Sequence, residues 1–174
     1  MRFPGYSIIS IAALNSYASA AAMFNASHFD IYELNTQKSN NYSVDFVAHN
    51  PDVGAMGAKT TCSASWAVGG DYPSTYHVCA DPAWTWKLSW FEDVTSFSLA
   101  VAHRWFDTTN TVFSASDPFY VRGIAYGDVN EDIFICDEEN DGTTCTLVPN
   151  TQLAIPITQR ISGSISYMNQ VSEV

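Results

Sequence analysis

The chain has 174 residues, which is the size of one domain with a sizeable core. Acidic residues outnumber basic ones by 18 to 7 and give a formal net charge of -11. Nucleic acids and anionic membranes attract proteins through Lys and Arg, so this balance argues against both as partners. Aromatic residues make up 14% of the chain, which excludes disorder as its main state.

The N-terminal residues have the pattern of a secretory signal peptide. Arg2 supplies a positive charge, residues 6–14 form a short apolar stretch, and Ala18-Ser19-Ala20 fits a cleavage site. The apolar stretch is too short to span a bilayer, and a weak N-terminal helix is the alternative interpretation. We therefore predict a signal peptide over residues 1–20 and one secreted, extracellular domain over residues 21–174.

Two further features agree with secretion. Asn25 and Asn41 each begin an Asn-x-Ser sequon, so both are candidate glycosylation sites. The chain also has an even number of cysteines, as is usual in an oxidising compartment: Cys62, Cys79, Cys136 and Cys145.

Four cysteines allow three pairings, of which we favour Cys62–Cys79 and Cys136–Cys145. Each of these pairs is local, and each interval contains turn residues. Zinc is the alternative, but the chain has no Cys-x-x-Cys motif. We therefore expect two disulfides, no metal and no cofactor.

The mature chain consists of short alternating segments separated by Gly, Pro, Asn and Asp. This pattern predicts an all-β fold, namely a single antiparallel β-sandwich or β-barrel domain cross-linked by two local disulfides. The predicted strands are 28–34, 43–49, 59–66, 75–79, 83–91, 95–106, 119–126, 131–136, 143–148, 152–158 and 161–169.

The clearest predicted unit is a hairpin over residues 83–106. In each arm the large apolar side chains alternate with small or polar ones, so a slip of one residue would expose all of them. We expect this hairpin to form the centre of the core. Its apolar face is predicted to carry Trp84, Trp86, Leu88, Trp90, Phe97, Leu99, Val101, His103 and Trp105.

No catalytic signature is found among the polar residues. His103 lies on the apolar face with Asp107 four residues further on, but no Ser or Cys nucleophile is specified, so we interpret it as structural. Adjacent carboxylates such as Glu92 and Asp93 would point apart in a strand, which does not favour a glycosidase. We therefore expect a protein that is not an enzyme.

Two predicted loops carry the candidate binding residues. Tyr72 and Tyr76 flank Pro73 and are candidates for an exposed contact. An acidic run begins like a calcium loop, but Val148 stands where an EF-hand requires Glu, so we interpret the run as a solvated, negative projection toward a basic partner. Its residues are Asp137, Glu138, Glu139 and Asp141. Tyr and Trp rings could also form a flat platform for sugars, although alternating Trp residues usually belong to the core.

The order of these features resembles a family of secreted fungal proteins typified by the major allergen of Alternaria alternata. The matching features, spread over residues 43–148, are Thr61-Cys62-Ser63-Ala64, Val78-Cys79, Trp84-Thr85-Trp86 and the later pair Cys136 and Cys145. The resemblance implies a β-barrel or sandwich with these two disulfides and no established enzyme activity. It also implies an effector, elicitor or allergen that binds a host extracellular protein or a small ligand. The alternative function is a carbohydrate- or small-aromatic-ligand-binding module.

Overall fold

The computed structural model describes residues 28–51, 53, 58–106, 119–139 and 142–164. The predicted signal peptide, Asn25, Asp107 and Asp141 lie outside these ranges. Within them no helix is long and apolar enough to cross a membrane. The strands are β1 (His28–Lys38), β2 (Asn41–Asn50), β3 (Ala58–Ala67), β4 (His77–Val78), β5 (Trp84–Asp93), β6 (Ser96–Phe106), β7 (Phe119–Val129), β8 (Phe134–Glu139), β9 (Gly142–Leu147) and β10 (Leu153–Ser164).

The strands form one antiparallel sheet that curls into a nearly closed barrel. Their order is β3-β2-β1-β10-β7-β6-β5-β4, while β9 pairs with the second half of β1, and β8 pairs with β9. The two ends of the sheet meet where Cys62 is bonded to Cys79 and the Ala80 N–H donates to the Thr61 carbonyl at 2.9 Å. The predicted all-β class and both disulfides, including Cys136–Cys145, are confirmed.

Four of the predicted strands differ clearly from the observed ones. The segments 152–158 and 161–169 belong to a single strand, β10, whose register against β7 shifts between Ile157 and Gln159; the residues after 164 lie outside the described ranges. The segment 131–136 begins with a 3-10 turn over Glu131–Ile133, because the Asn130 side chain caps the Asp132 N–H. The segment 75–79 contains only the two-residue strand His77–Val78.

The predicted hairpin is the centre of the core, formed by β5 and β6. Trp84, Trp86 and Leu88 are completely buried. The prediction for Trp90 is wrong, because its side chain is 48% exposed. The register between β5 and β6 shifts between Leu88 and Trp90, and this irregularity turns Trp90 outward and leaves the half-buried Phe91 packed on the core.

Candidate functional site

His103 lies inside the barrel, where its ring packs as part of the core. Its ring stacks on Trp84 with centroids 3.9 Å apart, and its Nδ1 lies 3.0 Å from Nδ2 of Asn50. Burial lowers the pKa of His103 to about 4, although the negative charge of Asp81 acts in the opposite direction. The ring is therefore neutral at physiological pH and available to pack rather than to carry charge.

The residues predicted for an exposed loop separate into two environments. Tyr72 is half-buried, and its ring lies 6.0 Å from that of Phe91, so it packs on the core instead of forming an exposed contact. Tyr76 is 36% exposed and remains accessible. The flat sugar platform does not include Trp84 or Trp86, which are fully buried.

The acidic candidates lie on the β8–β9 hairpin. Asp137 and Glu138 are exposed and pair in register with Thr144 and Thr143. The structure does not describe the side chain of Glu139. Among the described residues no group of three His, Cys, Asp or Glu side chains is placed to hold a metal ion. Asn41, the one sequon asparagine in the described ranges, is exposed at the start of β2.

Sequence reasoning missed a group of cations on the outer face of β5, β6 and β7. Lys87, Arg104 and Arg122 account for three of the seven Lys and Arg residues of this acidic chain. Arg104 of β6 lies directly opposite Arg122 of β7 in the strand register. Like charges in directly opposed positions of antiparallel strands repel each other, so this arginine pair destabilises the fold when no ligand is bound.

Aromatic rings, rather than carboxylates, accompany these cations. The Arg122 guanidinium lies 5.6 Å from the centroid of the Tyr76 ring, and Lys87 Nζ lies 5.0 Å from the same centroid. The Arg104 guanidinium lies 5.7 Å from the Tyr120 ring. Within the described ranges neither guanidinium has a carboxylate oxygen within 4.0 Å. Cation–π contacts stabilise a cation by only about 1 kcal/mol at exposed sites and leave its charge uncompensated.

A cleft of about 200 Å³ opens beside Tyr76, Arg104 and Arg122. Its floor is formed by small residues, since Ala102 is only 1% exposed although it lies on the outer face of the sheet. We call this the arginine cleft, and its main lining residues are Tyr76, Pro82, Thr85, Ala102, Arg104 and Arg122.

Tyr76 forms a fixed wall of the arginine cleft. Burial and the hydrogen bond to the Tyr126 side chain raise the pKa of Tyr76 to about 12, so its hydroxyl stays protonated at physiological pH. The chain is anchored on both sides of Tyr76. On one side the Leu88 N–H donates to the Pro73 carbonyl at 2.8 Å, and on the other Cys79 is bonded to Cys62.

The arrangement suits the binding of an anion. A guanidinium donates two parallel hydrogen bonds to a carboxylate, sulfate or phosphate, and two neighbouring guanidiniums provide several such donors. The alternation in the predicted hairpin already places Lys87 and Arg104 on its polar face. The pairing of Arg104 with Arg122 is a long-range contact between β6 and β7, and no local pattern reports it.

Comparison with known proteins adds no relative to this description. No family model matches the chain, and no curated protein matches it to a significant degree.

Proposed function

We propose that this is a secreted, non-enzymatic binding protein of the fungal effector, elicitor and allergen-like class, and that its arginine cleft binds the anionic group of a small extracellular ligand. The observation that carries the proposal is the opposed pair Arg104 and Arg122, which has no carboxylate within 4.0 Å among the described residues. Secretion is supported by the two disulfides, since such bonds form and persist in oxidising compartments.

The energetic argument starts from the charge of the whole chain. Eighteen acidic residues are available to neutralise two guanidiniums, yet the described ones lie elsewhere. A bound anion would accept hydrogen bonds from both side chains and remove their mutual repulsion. Each hydrogen bond to a charged group contributes about 1.5–3 kcal/mol, which is enough for measurable affinity in a small cleft.

The test measures the binding of sodium benzoate, acetate, sulfate and phosphate to the oxidised mature chain by calorimetry. We expect at least one anion to bind, and we expect Arg104→Gln and Arg122→Gln each to weaken that binding by about 10–100-fold. Lys38→Gln is the matched control, because it removes the same charge on β1, away from the arginine cleft, and interrupts the half-exposed Lys38–Asp93 ion pair and a cation–π contact with Tyr42. Equal binding by wild type and both arginine variants, or no binding of any anion, would contradict the proposal.

A second candidate function is the binding of a basic host protein to the acidic β8–β9 hairpin. The specific observation is that Asp137 and Glu138 are exposed on β8, where Ile135 is also 50% exposed. In the described part of the chain β8 pairs with β9 alone, so its other edge is open to a partner strand.

A further inference from the structure

A second cleft opens where β1 changes its neighbour. Residues 28–31 of β1 pair with β10, whereas residues 35–38 pair with β9. Between these two segments, the pairing of β1 with β2 has a register shift that lies between Tyr32 and Asn35. The resulting cleft has a volume of about 340 Å³. We call it the bulge cleft, and the lining residues that matter here are Tyr32, Glu33, Asn35, Val47, Lys59 and Asn150.

Glu33 occupies an unfavourable backbone conformation at this cleft. Its φ of 50° lies in the left-handed region, where Gly and Asn are favoured and other side chains are strained. Asn150, with a φ of 62°, is the other non-glycine residue with positive φ in the described ranges, and it lines the same cleft. Backbone strain that local sequence does not require is commonly found at functional sites.

The Glu33 side chain makes no ion pair in the described part of the fold that would offset this strain. It is exposed, and in the part of the chain that the structure describes no cation lies within 4.0 Å of its carboxylate. Its backbone carbonyl accepts a hydrogen bond from Asn35 Nδ2 at 2.9 Å, which Gly would accept equally well. The carboxylate therefore has an unused capacity for hydrogen bonds at the edge of the cleft.

The other lining groups define the chemistry of a matching ligand. Lys59 Nζ lies 5.4 Å from the centroid of the Tyr32 ring, and the amides of Asn35 and Asn150 add donors and acceptors. Val47 contributes an apolar surface. A sugar ring matches this mixture, because its hydroxyls both donate and accept while its C–H face packs on apolar groups.

The Tyr32 wall of the cleft is held in place by a hydrogen-bond network around the buried Asp30. The Tyr32 hydroxyl donates to Asp30 Oδ2 at 3.4 Å. Asp30 is only 4% exposed and is also contacted by His49 Nδ1 at 3.3 Å and by Gln152 Nε2 at 3.2 Å. Preorganised walls lower the entropic cost of binding.

We propose that the bulge cleft is a second ligand site, for a neutral carbohydrate, and that the Glu33 carboxylate accepts hydrogen bonds from its hydroxyl groups. This site shares no lining residue with the arginine cleft, so it stands whether or not an anion binds there.

The experiment is saturation-transfer NMR on the oxidised mature chain with neutral sugars: glucose, mannose, N-acetylglucosamine and their β-linked disaccharides. We expect at least one sugar to bind. Glu33→Gln, which keeps the side-chain length, and Glu33→Gly should each weaken this binding at least fivefold. Arg104→Gln should leave it unchanged.

Thermal unfolding of the same variants separates a ligand-binding role from a structural one. Glu33→Gly should raise the unfolding midpoint by about 2–4 °C, because Gly adopts positive φ without strain. Glu92→Gln is the charge control, because Glu92 is exposed on β5 and does not line the cleft. This variant should bind sugar as the wild type does. Absence of sugar binding, binding by both Glu33 variants that equals that of the wild type, or binding of sodium galacturonate or glycine alone would overturn the proposal.

Discussion

At the scale of single residues, His103 couples the stability of the barrel to pH. Its pKa in the fold is about 4, below the ordinary 6.5, because burial disfavours the charged ring. The stabilising contribution of the neutral ring is therefore complete above about pH 6.5 and is lost as the pH falls through 4, since the unfolded chain takes up the proton first. The difference between the two pKa values corresponds to about 3 kcal/mol.

We accordingly expect His103→Gln to flatten the pH dependence of unfolding. Urea titrations at pH 7, 6, 5 and 4 should show that the wild type loses about 3 kcal/mol more than the variant across this range. The exposed His77, replaced by Gln, serves as the control and should leave the wild-type profile intact. Parallel profiles for wild type and His103→Gln would show that His103 does not determine the pH response.

At the scale of elements, the two disulfides have different structural positions. Cys62–Cys79 joins β3 to the segment after β4 and so closes the barrel next to the Tyr76 wall. Cys136–Cys145 joins β8 and β9, which are already neighbours in the sheet. Their sequence separations of 17 and 9 residues lead to similar entropic contributions, each about 3 kcal/mol.

Stability and anion binding should therefore respond differently to the loss of each bond. Replacing Cys62 and Cys79 together by Ala should destabilise the fold by about 3 kcal/mol and also weaken anion binding, because Tyr76 loses one anchor. Replacing Cys136 and Cys145 by Ala should cost a similar amount and leave anion affinity unchanged. Calorimetry on both double variants, at a temperature where each is folded, checks this; equal loss of affinity would disprove the coupling.

At the scale of the whole molecule, charge is distributed unevenly over an acidic protein. Lys87, Arg104 and Arg122 gather on β5, β6 and β7, while Asp137 and Glu138 lie on β8, which joins the barrel through β9 and β1. Electrostatic recognition depends on such local patches more than on net charge. One protein can thus present a cationic cleft to a small ligand and an acidic hairpin to a basic partner.

The acidic hairpin can be tested by charge reversal. If it binds a basic extracellular protein, a pull-down from host extracellular fluid with the double variant Asp137→Lys and Glu138→Lys should lose that protein, and the loss should depend on salt. Glu92→Lys is the control on β5. Capture that is unchanged in the hairpin variant and lost in the control would exclude the hairpin as the contact surface.

The all-β class, the two disulfides and most of the buried face of the central hairpin could be predicted from the sequence. These properties follow from local spacing, since alternation selects a face and short cysteine intervals select local pairs. The prediction is wrong at Trp90, because a register shift reverses the faces of a strand without changing the residue pattern.

The contacts between distant residues depend on how the strands pair in the folded barrel. Arg104 faces Arg122 because β6 pairs with β7, and the Tyr76 ring lies beside Arg122 in a segment that the Cys62–Cys79 bond holds where the ends of the sheet meet. The strained Glu33 lies where β1 exchanges β10 for β9 as its neighbour and where its register against β2 shifts. Both clefts depend on long-range pairings between strands. Composition and periodicity are local properties of the chain and do not predict such pairings.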